Sequence, residues 1–436
     1  MTTILANVCH NCAVTWRGWI VWSVGVLAYV LAVMQRTTFG IAGLDATTRF
    51  AITPGALSAF VFVQVAGYLA AQIPAGIAVD RFGSRVMLVT SGVLLAAGQL
   101  LLAVAPDLPL AVLARVLVGL GDAAVFTAVL ALVPRWFPAR RVPLVVQVTT
   151  ILCQLGQVLS ALPFAWLLHG AGWPSAFGAA ALASGSVAVL VFVVVRDAPP
   201  GAAVPRASST SIREILGAVR EVWRRPGTRL GFFGHMGTQF SMMVFTLLWG
   251  VPWLVSAQGL TAGEAGGMLT LFVVCTIAIG PAFGVFTMRH PLRRSWVVLA
   301  VIAAEAAVWT AVLAQPGPAP RWLLFLLIVA LATAGPGSVV GIDIARTHNP
   351  SANLGVAQSM VNMGGFLASL VVLVAMGGVL TALGGYTPEA FRVAWLVQYL
   401  VWGVAVTGIL VARRKARRLD AERGVVPRPL REVFAR

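Results

Sequence analysis

Gly76-Ile77-Ala78-Val79-Asp80-Arg81-Phe82-Gly83-Ser84-Arg85 separates two long apolar runs, and charges cluster almost nowhere else in the first hundred residues. The stretch reads as the end of one helix, a tight turn and the start of the next. Gly83 permits the turn. Arg81 and Arg85 are cations placed where an apolar phase meets water. If the flanking runs are membrane helices, this loop is the first fixed point of the fold.

Composition supports that assignment. Hydrophobic residues make up 59% of the 436, charged residues only 10%, and the mean hydropathy is +0.90. Soluble domains carry about 25% charged residues, so the chain is an integral membrane protein. A net charge of +17 would suggest nucleic acid in a soluble protein. Here the cations occupy short loops and a tail between apolar runs, which fits membrane orientation and anionic lipid headgroups, with no nucleic-acid partner. The four cysteines are Cys9, Cys12, Cys153 and Cys275. The last two lie within apolar runs as small core residues. Cys9-His10-Asn11-Cys12 has C-x-x-C spacing, but zinc needs about four ligands and no second pair exists. No metal or cofactor is expected. The first apolar run is too long for the core of a cleavable signal peptide and continues into a helix.

A span needs about 20 apolar residues. Twelve are expected, near 17–40, 54–79, 85–105, 108–134, 142–168, 173–195, 228–255, 264–288, 294–314, 321–345, 354–382 and 391–412. Helices follow because lipid offers no partner to unpaired backbone groups, and nothing alternates as barrel strands would. With the N-terminus, the even-numbered loops and the C-terminus on one side, that side holds 26 of the 31 cations. The other side holds Arg49, Arg321 and Arg392, while Arg36 and Arg115 fall inside spans. The positive-inside rule then puts both termini in the cytoplasm, as for a multi-pass protein of a bacterial-type inner membrane.

The expected organisation is a cytoplasmic tail (1–16), a six-helix half (17–195), a cytoplasmic linker (196–227), a second six-helix half (228–412) and a basic tail (413–436). Within the linker, Ser211-Ile212-Arg213-Glu214 has capping-box spacing. Ile212, Ile215, Val219, Val222 and Trp223 recur on one face, opposite Arg213, Arg220 and Arg224, which predicts an amphipathic helix on the inner membrane surface. The halves read as copies. At a constant offset of 208 residues, Thr53, Gly55, Gly76, Arg81 and Arg85 recur as Thr261, Gly263, Gly284, Arg289 and Arg293. Met288 stands where the second copy would carry Asp80, and Pro291 replaces Gly83.

The pattern G-x-x-x-D-R-x-G-x-R from Gly76 to Arg85 resembles the loop between helices 2 and 3 of the major facilitator superfamily. Other stretches resemble the same superfamily: Arg115-x-x-x-Gly119-x-Gly121 in span 4, Arg135 to Arg141 after it, Gly172-Trp173 to Phe177 at the start of span 6, and Asn362 to Phe366 in span 11. Gly156 to Pro163 is a weaker match in span 5. The resemblance covers about residues 17–412. It implies an all-α membrane protein of twelve transmembrane helices in two pseudo-symmetric six-helix bundles, built as parallel repeats with solute bound between them. It also implies a gating motif of Gly76, Asp80, Arg81, Gly83 and Arg85, echoed by Gly284, Arg289 and Arg293, and a coupling or gating role for Arg115. Asp80, with Arg81 and Arg85, would hold the first half against the start of span 11.

Ionisable residues inside lipid cost at least ~2.5–3.5 kcal/mol at a helix centre, so each is a functional candidate. Arg36 shares a face of span 1 with Tyr29, two turns earlier. Its guanidinium would suit a carboxylate or phosphate, or could snorkel to the outer surface. The run Tyr29 to Phe39 resembles span 1 of the organophosphate and organic-anion branch. Arg115 and Asp122 share a face of span 4, and Asp122, near mid-membrane, could accept and release a proton. The plainer alternative is a buried ion pair that fixes the helix. Glu305 lies near the middle of span 9, and Asp343 with Arg346 should pair at the inner end of span 10. Gln147, Gln154 and Gln157 form a polar stripe in span 5. His235 with Gln239, and Gln358 with Asn362, sit one turn apart in spans 7 and 11. These could line a solute path or bond between helices as packing contacts.

No nucleotide loop, metal cluster or catalytic arrangement is visible, so no enzymatic activity is expected. The sequence points to a monomeric secondary active transporter working by alternating access. It would move a small polar or anionic solute with protons, contacted by Tyr29, Arg36, Gln154, Gln157, His235, Gln239, Gln358 and Asn362, with Asp122 and Arg115 coupling the proton. Proton-driven efflux of drugs or antibiotics is the alternative within transport. A non-transporting membrane receptor or scaffold is the alternative outside it.

Overall fold

The structure, a computed structural model, describes residues 16–50, 54–202, 212–422 and 424. Every regular element among them is helical. The α-helices are α1 (Trp16–Ile41), α2 (Gly43–Phe50), α3 (Pro54–Phe82), α4 (Ser84–Val104), α5 (Leu108–Trp136), α6 (Val142–Leu152), α7 (Leu155–Leu159) and α8 (Ala165–Val194). They continue with α9 (Ile212–Arg224), α10 (Pro226–Val244), α11 (Gly250–Ser256), α12 (Ala262–Arg289), α13 (Arg294–Leu313), α14 (Arg321–Ala332), α15 (Ala334–His348), α16 (Leu354–Ala382) and α17 (Pro388–Glu422).

Among the described residues, 11 helical stretches are long and apolar enough to cross a membrane. The stretch Val142–Val194 is 53 residues long and contains two spans. Gly172 breaks it, with φ 80° and ψ 175°, a backbone conformation that only glycine adopts without strain. Pro174 then sits at the start of the next helix, where its missing N–H costs nothing. The twelve expected spans are therefore all found. Two carry π-helical turns, Ser160–Phe164 around Pro163 and Phe245–Trp249, which bend spans 5 and 7 locally.

Helix starts follow local chemistry. The Asp107 side chain accepts a hydrogen bond from the Leu110 amide at 3.0 Å, opening α5. Thr261 and Glu264 form a reciprocal capping box that opens α12. The capping box expected at Ser211 lies outside the described residues, as do Thr53 and the Cys9/Cys12 pair. In the linker, α9 is amphipathic. Val222 is buried, the Trp223 ring meets Phe232 at 5.1 Å, and Arg213, Arg220 and Arg224 are exposed.

Two compact units emerge: Met1–Leu216 with Ser351–Ser359, and Gly217–Pro350 with Met360–Arg436. In the first, α4 packs on α5 and α8, α3 on α5, and α1 on α5 and α8. Its interior is partly polar. The Gln35 amide donates to the Ala180 carbonyl (2.8 Å) and the Ser184 hydroxyl (2.6 Å), and its own oxygen accepts from Gln99 (2.6 Å). In the second, α10 packs on α13, α15 and α17. The core there is aromatic. Trp309 stacks on Trp395 at 4.3 Å with Trp253 and Phe245 around them, and the Trp309 indole donates to Ser241.

Trp309 fills more of that core than any smaller side chain could. Trp309→Ala should lower the unfolding free energy by about 3–5 kcal/mol, with Trp309→Phe losing much less. Denaturant unfolding of the purified protein in detergent checks this, and equal stability of the Ala variant would refute it.

Candidate functional site

Three helices of the first unit bring the site together. The stripe Gln64, Tyr68, Gln72 on α3 recurs every four residues, and Asp80 follows two turns later on the same helix. Helix α1 supplies Tyr29 and Arg36, and α5 supplies Arg115 and Asp122.

Arg36 grips Asp122 with two parallel bonds, Nε to Oδ2 at 2.6 Å and Nη2 to Oδ1 at 3.0 Å. The Asp122 side chain is 1% exposed and that of Arg36 20%. The guanidinium also lies 5.1 Å from the centre of the Tyr68 ring, whose face attracts a cation. A bidentate fork in a low-dielectric setting is the strongest form of ion pair available to these side chains. Tyr29 meets α5 as well, its ring 5.7 Å from Phe126. Tyr29 and Arg36 thus share the face their spacing predicts, and that face is turned toward α5. The Arg36 guanidinium ends on Asp122 of α5.

Arg115 is buried, and its Nη2 donates to the Gln64 side-chain oxygen and to the Arg36 carbonyl at 3.5 Å. The cross-helix partner of Asp122 is thus an arginine 86 residues away in sequence. Gln64, Tyr68 and Gln72 join this cluster, and three such side chains at four-residue spacing in an apolar span are a signal readable in the sequence. Gln72 donates to the Ala123 carbonyl at 3.2 Å, next to Asp122.

The loop motif has a specific geometry. Asp80, 2% exposed, accepts from the backbone amides of Gly355 (to Oδ1, 2.6 Å) and Val356 (to Oδ2, 2.9 Å). These are free donors of the first turn of α16, so the carboxylate sits on a helix N-terminus, where negative charge is favoured. Close backbone approach makes this possible. A Cβ on Gly76 would lie 2.6 Å from the Gly355 carbonyl oxygen and 2.7 Å from Ser359 Oγ. Thr127 and Ser359 exchange a buried hydroxyl bond at 3.0 Å beside it.

The arginines do other work. The Arg85 amide donates to Asp197 (2.9 Å), and its guanidinium donates to the Phe192 carbonyl (2.6 and 3.1 Å). Arg81 lies over the Phe82 ring at 5.3 Å. The expectation that Arg81 and Arg85 join Asp80 on the start of α16 is therefore corrected. Backbone amides answer the carboxylate, and Arg85 braces the turn at Gly83, whose φ is 89°.

In the second unit, Arg346 donates twice to Asp343 (2.9 and 2.7 Å), as the spacing predicts, and Arg294 pairs with the other carboxylate oxygen at 2.7 Å. Arg294 is the buried cation of the second motif, whereas Arg289 is exposed, Arg293 half-buried and Gly284 buried. His235 and Gln239 both face Gly365, where an added Cβ would lie 2.7 Å from His235 Nδ1. His235 Nδ1 and Gln239 Oε1 have no hydrogen-bond partner among the described residues. The same holds for Gln358 Oε1 and for both oxygens of Glu305, which is fully buried on α13. Asn362 is buried on α16. Gln147 is buried on α6, while Gln154 and Gln157 are half-buried beyond a break between Leu152 and Leu155 that interrupts regular helical spacing.

Residues 25–249 match the sequence profile of the Major Facilitator Superfamily, and the chain belongs to that family. It is 27% identical over 191 residues to "Probable anion transporter 5" of Arabidopsis thaliana, 44% of each chain. It is 34% identical over 152 residues to "Multidrug resistance protein B homolog" of Mycobacterium tuberculosis, covering 34% of this chain and 27% of that one. These alignments span less than half of either relative. A longer match, 22% over 366 residues, covers 77% of this chain and 80% of "Probable galactarate/D-glucarate transporter GudP" of Bacillus subtilis. Among solved structures, the E. coli fucose:proton symporter FucP superposes with a TM-score of 0.65 at 16% identity, over 89% of this chain and 98% of that one, a likeness of fold.

Asp80→Ala should leave two buried amides unanswered and lower stability by about 2–3 kcal/mol, while Asp80→Asn, which keeps one acceptor, should lose roughly half as much. Unfolding titrations of the three proteins measure this, and coincident curves would remove the capping argument.

Proposed function

We propose that this chain is a secondary active transporter of a small organic anion, moved together with a proton. The observation that carries this is the Arg36–Asp122 pair. A solute carboxylate has the same two-oxygen geometry as Asp122 and can take its place on the guanidinium fork. Asp122, displaced in a low-dielectric interior, then takes up a proton, because an uncompensated buried carboxylate is strongly disfavoured. Release of the solute returns Arg36 to Asp122 and frees the proton. Solute and proton are thus bound and released together, and neither step leaves a bare charge in the membrane.

The names of the relatives, an anion transporter and a galactarate/D-glucarate transporter, support a carboxylate-bearing solute. The uneven distribution of arginine along the chain supports a cell-membrane protein with both termini in the cytoplasm. Drug efflux is the second reading, favoured by the 34% match to a multidrug resistance homologue.

Thermal-shift screening of the purified protein against galactarate, tartrate, uncharged sugars and cationic drugs separates the two. Dicarboxylates should stabilise the wild type, and Arg36→Gln should weaken that binding about 30-fold, equivalent to about 2 kcal/mol for a charged hydrogen-bonded contact. Stabilisation by drugs alone, unchanged in Arg36→Gln, would overturn the anion reading. In proteoliposomes, Asp122→Asn should bind the dicarboxylate but lose flux driven by a pH gradient. Undiminished driven flux in that variant would remove the proton from the mechanism.

A further inference from the structure

A second charged site lies in the other unit, remote in sequence from Arg36 and Asp122. Where α10 begins and α15 and α17 end, a cavity of about 280 Å³ is lined by Arg294, Arg413 and Arg417, with Ser295, Thr347 and His348 among its other walls. Among the described residues, no carboxylate lines it.

The three guanidiniums are held in place by their neighbours. Arg294 pairs with Asp343 through Nη2 at 2.7 Å and donates through Nη1 to Thr347 at 3.2 Å. Arg413 donates from Nε to Ser295 at 3.1 Å and lies 4.3 Å over the Trp296 ring. Arg417 donates to the Leu292 carbonyl. After these bonds, Arg294 Nε and Arg417 Nη1 are buried with no acceptor among the described residues. Asp343 is the carboxylate nearest this cluster in the bonding pattern, and it already serves both Arg294 and Arg346. The site therefore has positioned donors, surplus positive charge and room for a small anion. Among the described residues that line it, none is acidic.

Buried donors are nearly always satisfied, and arginine forks match tetrahedral oxyanions. We propose that this cavity binds a phosphate group, contacted by Arg294, Arg413 and Arg417. Two sources share that chemistry, an anionic phospholipid headgroup and free phosphate. Trp296, 56% exposed beside Arg413, is the kind of aromatic found at the headgroup level of a bilayer.

The test uses the full chain purified in detergent, with native mass spectrometry and thermal unfolding as readouts. The probes are dioctanoyl phosphatidylglycerol, dioctanoyl phosphatidylcholine and inorganic phosphate. Binding of phosphatidylglycerol or phosphate is expected, weakened at least tenfold in Arg413→Gln/Arg417→Gln. It should be unchanged in Arg414→Gln, which removes a charge from an exposed neighbour. Phosphatidylglycerol bound without competition from phosphate identifies a lipid headgroup, and effective competition identifies free phosphate as a ligand. Equal weakening in Arg414→Gln, or binding of neither probe, overturns the proposal. If the double variant does not elute as folded protein, Arg413→Lys, which keeps the charge but not the fork, is compared with Arg414→Gln in the same way.

Discussion

Hydrocarbon cannot answer a polar group, so every amide and charge that enters it must find its partner within the protein. That constraint dictates the all-helical architecture, and it also governs the few charges the spans carry. Arg36 and Asp122 would each be costly alone. Joined through two short bonds they become a compact, nearly neutral unit. The same rule places Asp80 on the open amides of α16, where a carboxylate and a helix terminus answer each other.

Where the helices cannot be regular, the irregularity has a local cause. Gly172 takes a conformation closed to other residues and so divides one 53-residue helical stretch into two spans. Pro163 sits in a π-helical turn. The break between α6 and α7 falls beside the pair Cys153-Gln154. The last two lie in span 5, which also carries the polar residues Gln154 and Gln157.

The two units solve the loop problem differently. In the first, Asp80 is retained and bound by backbone. In the second, Met288 occupies the equivalent position, and the charge work is done by Asp343 with Arg294 and Arg346. The second copy therefore diverged in its turn, where Pro291–Arg293 form a 3-10 helix in place of the Gly83 turn, as well as in its electrostatics. In the second unit the divergence leaves arginines in excess over carboxylates around the ends of α15 and α17, and so makes an anion site physically reasonable there.

Hydropathy alone located all twelve spans, because a lipid-crossing helix needs a fixed length of apolar sequence whatever it packs against. The Asp343–Arg346 pair was equally legible, since a spacing of three residues on a helix fixes proximity locally. The shared face of Tyr29 and Arg36 was legible for the same reason. What that face met was not. Asp122 lies 86 residues from Arg36, and nothing along the chain states which helices become neighbours or at what depth. The partner of Asp80, some 275 residues away, is a pair of backbone amides, which carry no side-chain signature at all. The opening loop could thus be recognised from its residues, but only the tertiary structure decided that its acid binds a helix end while its arginines brace the turn. Sequence fixes periodicity and composition, whereas pairing across helices depends on packing geometry that many sequences could share.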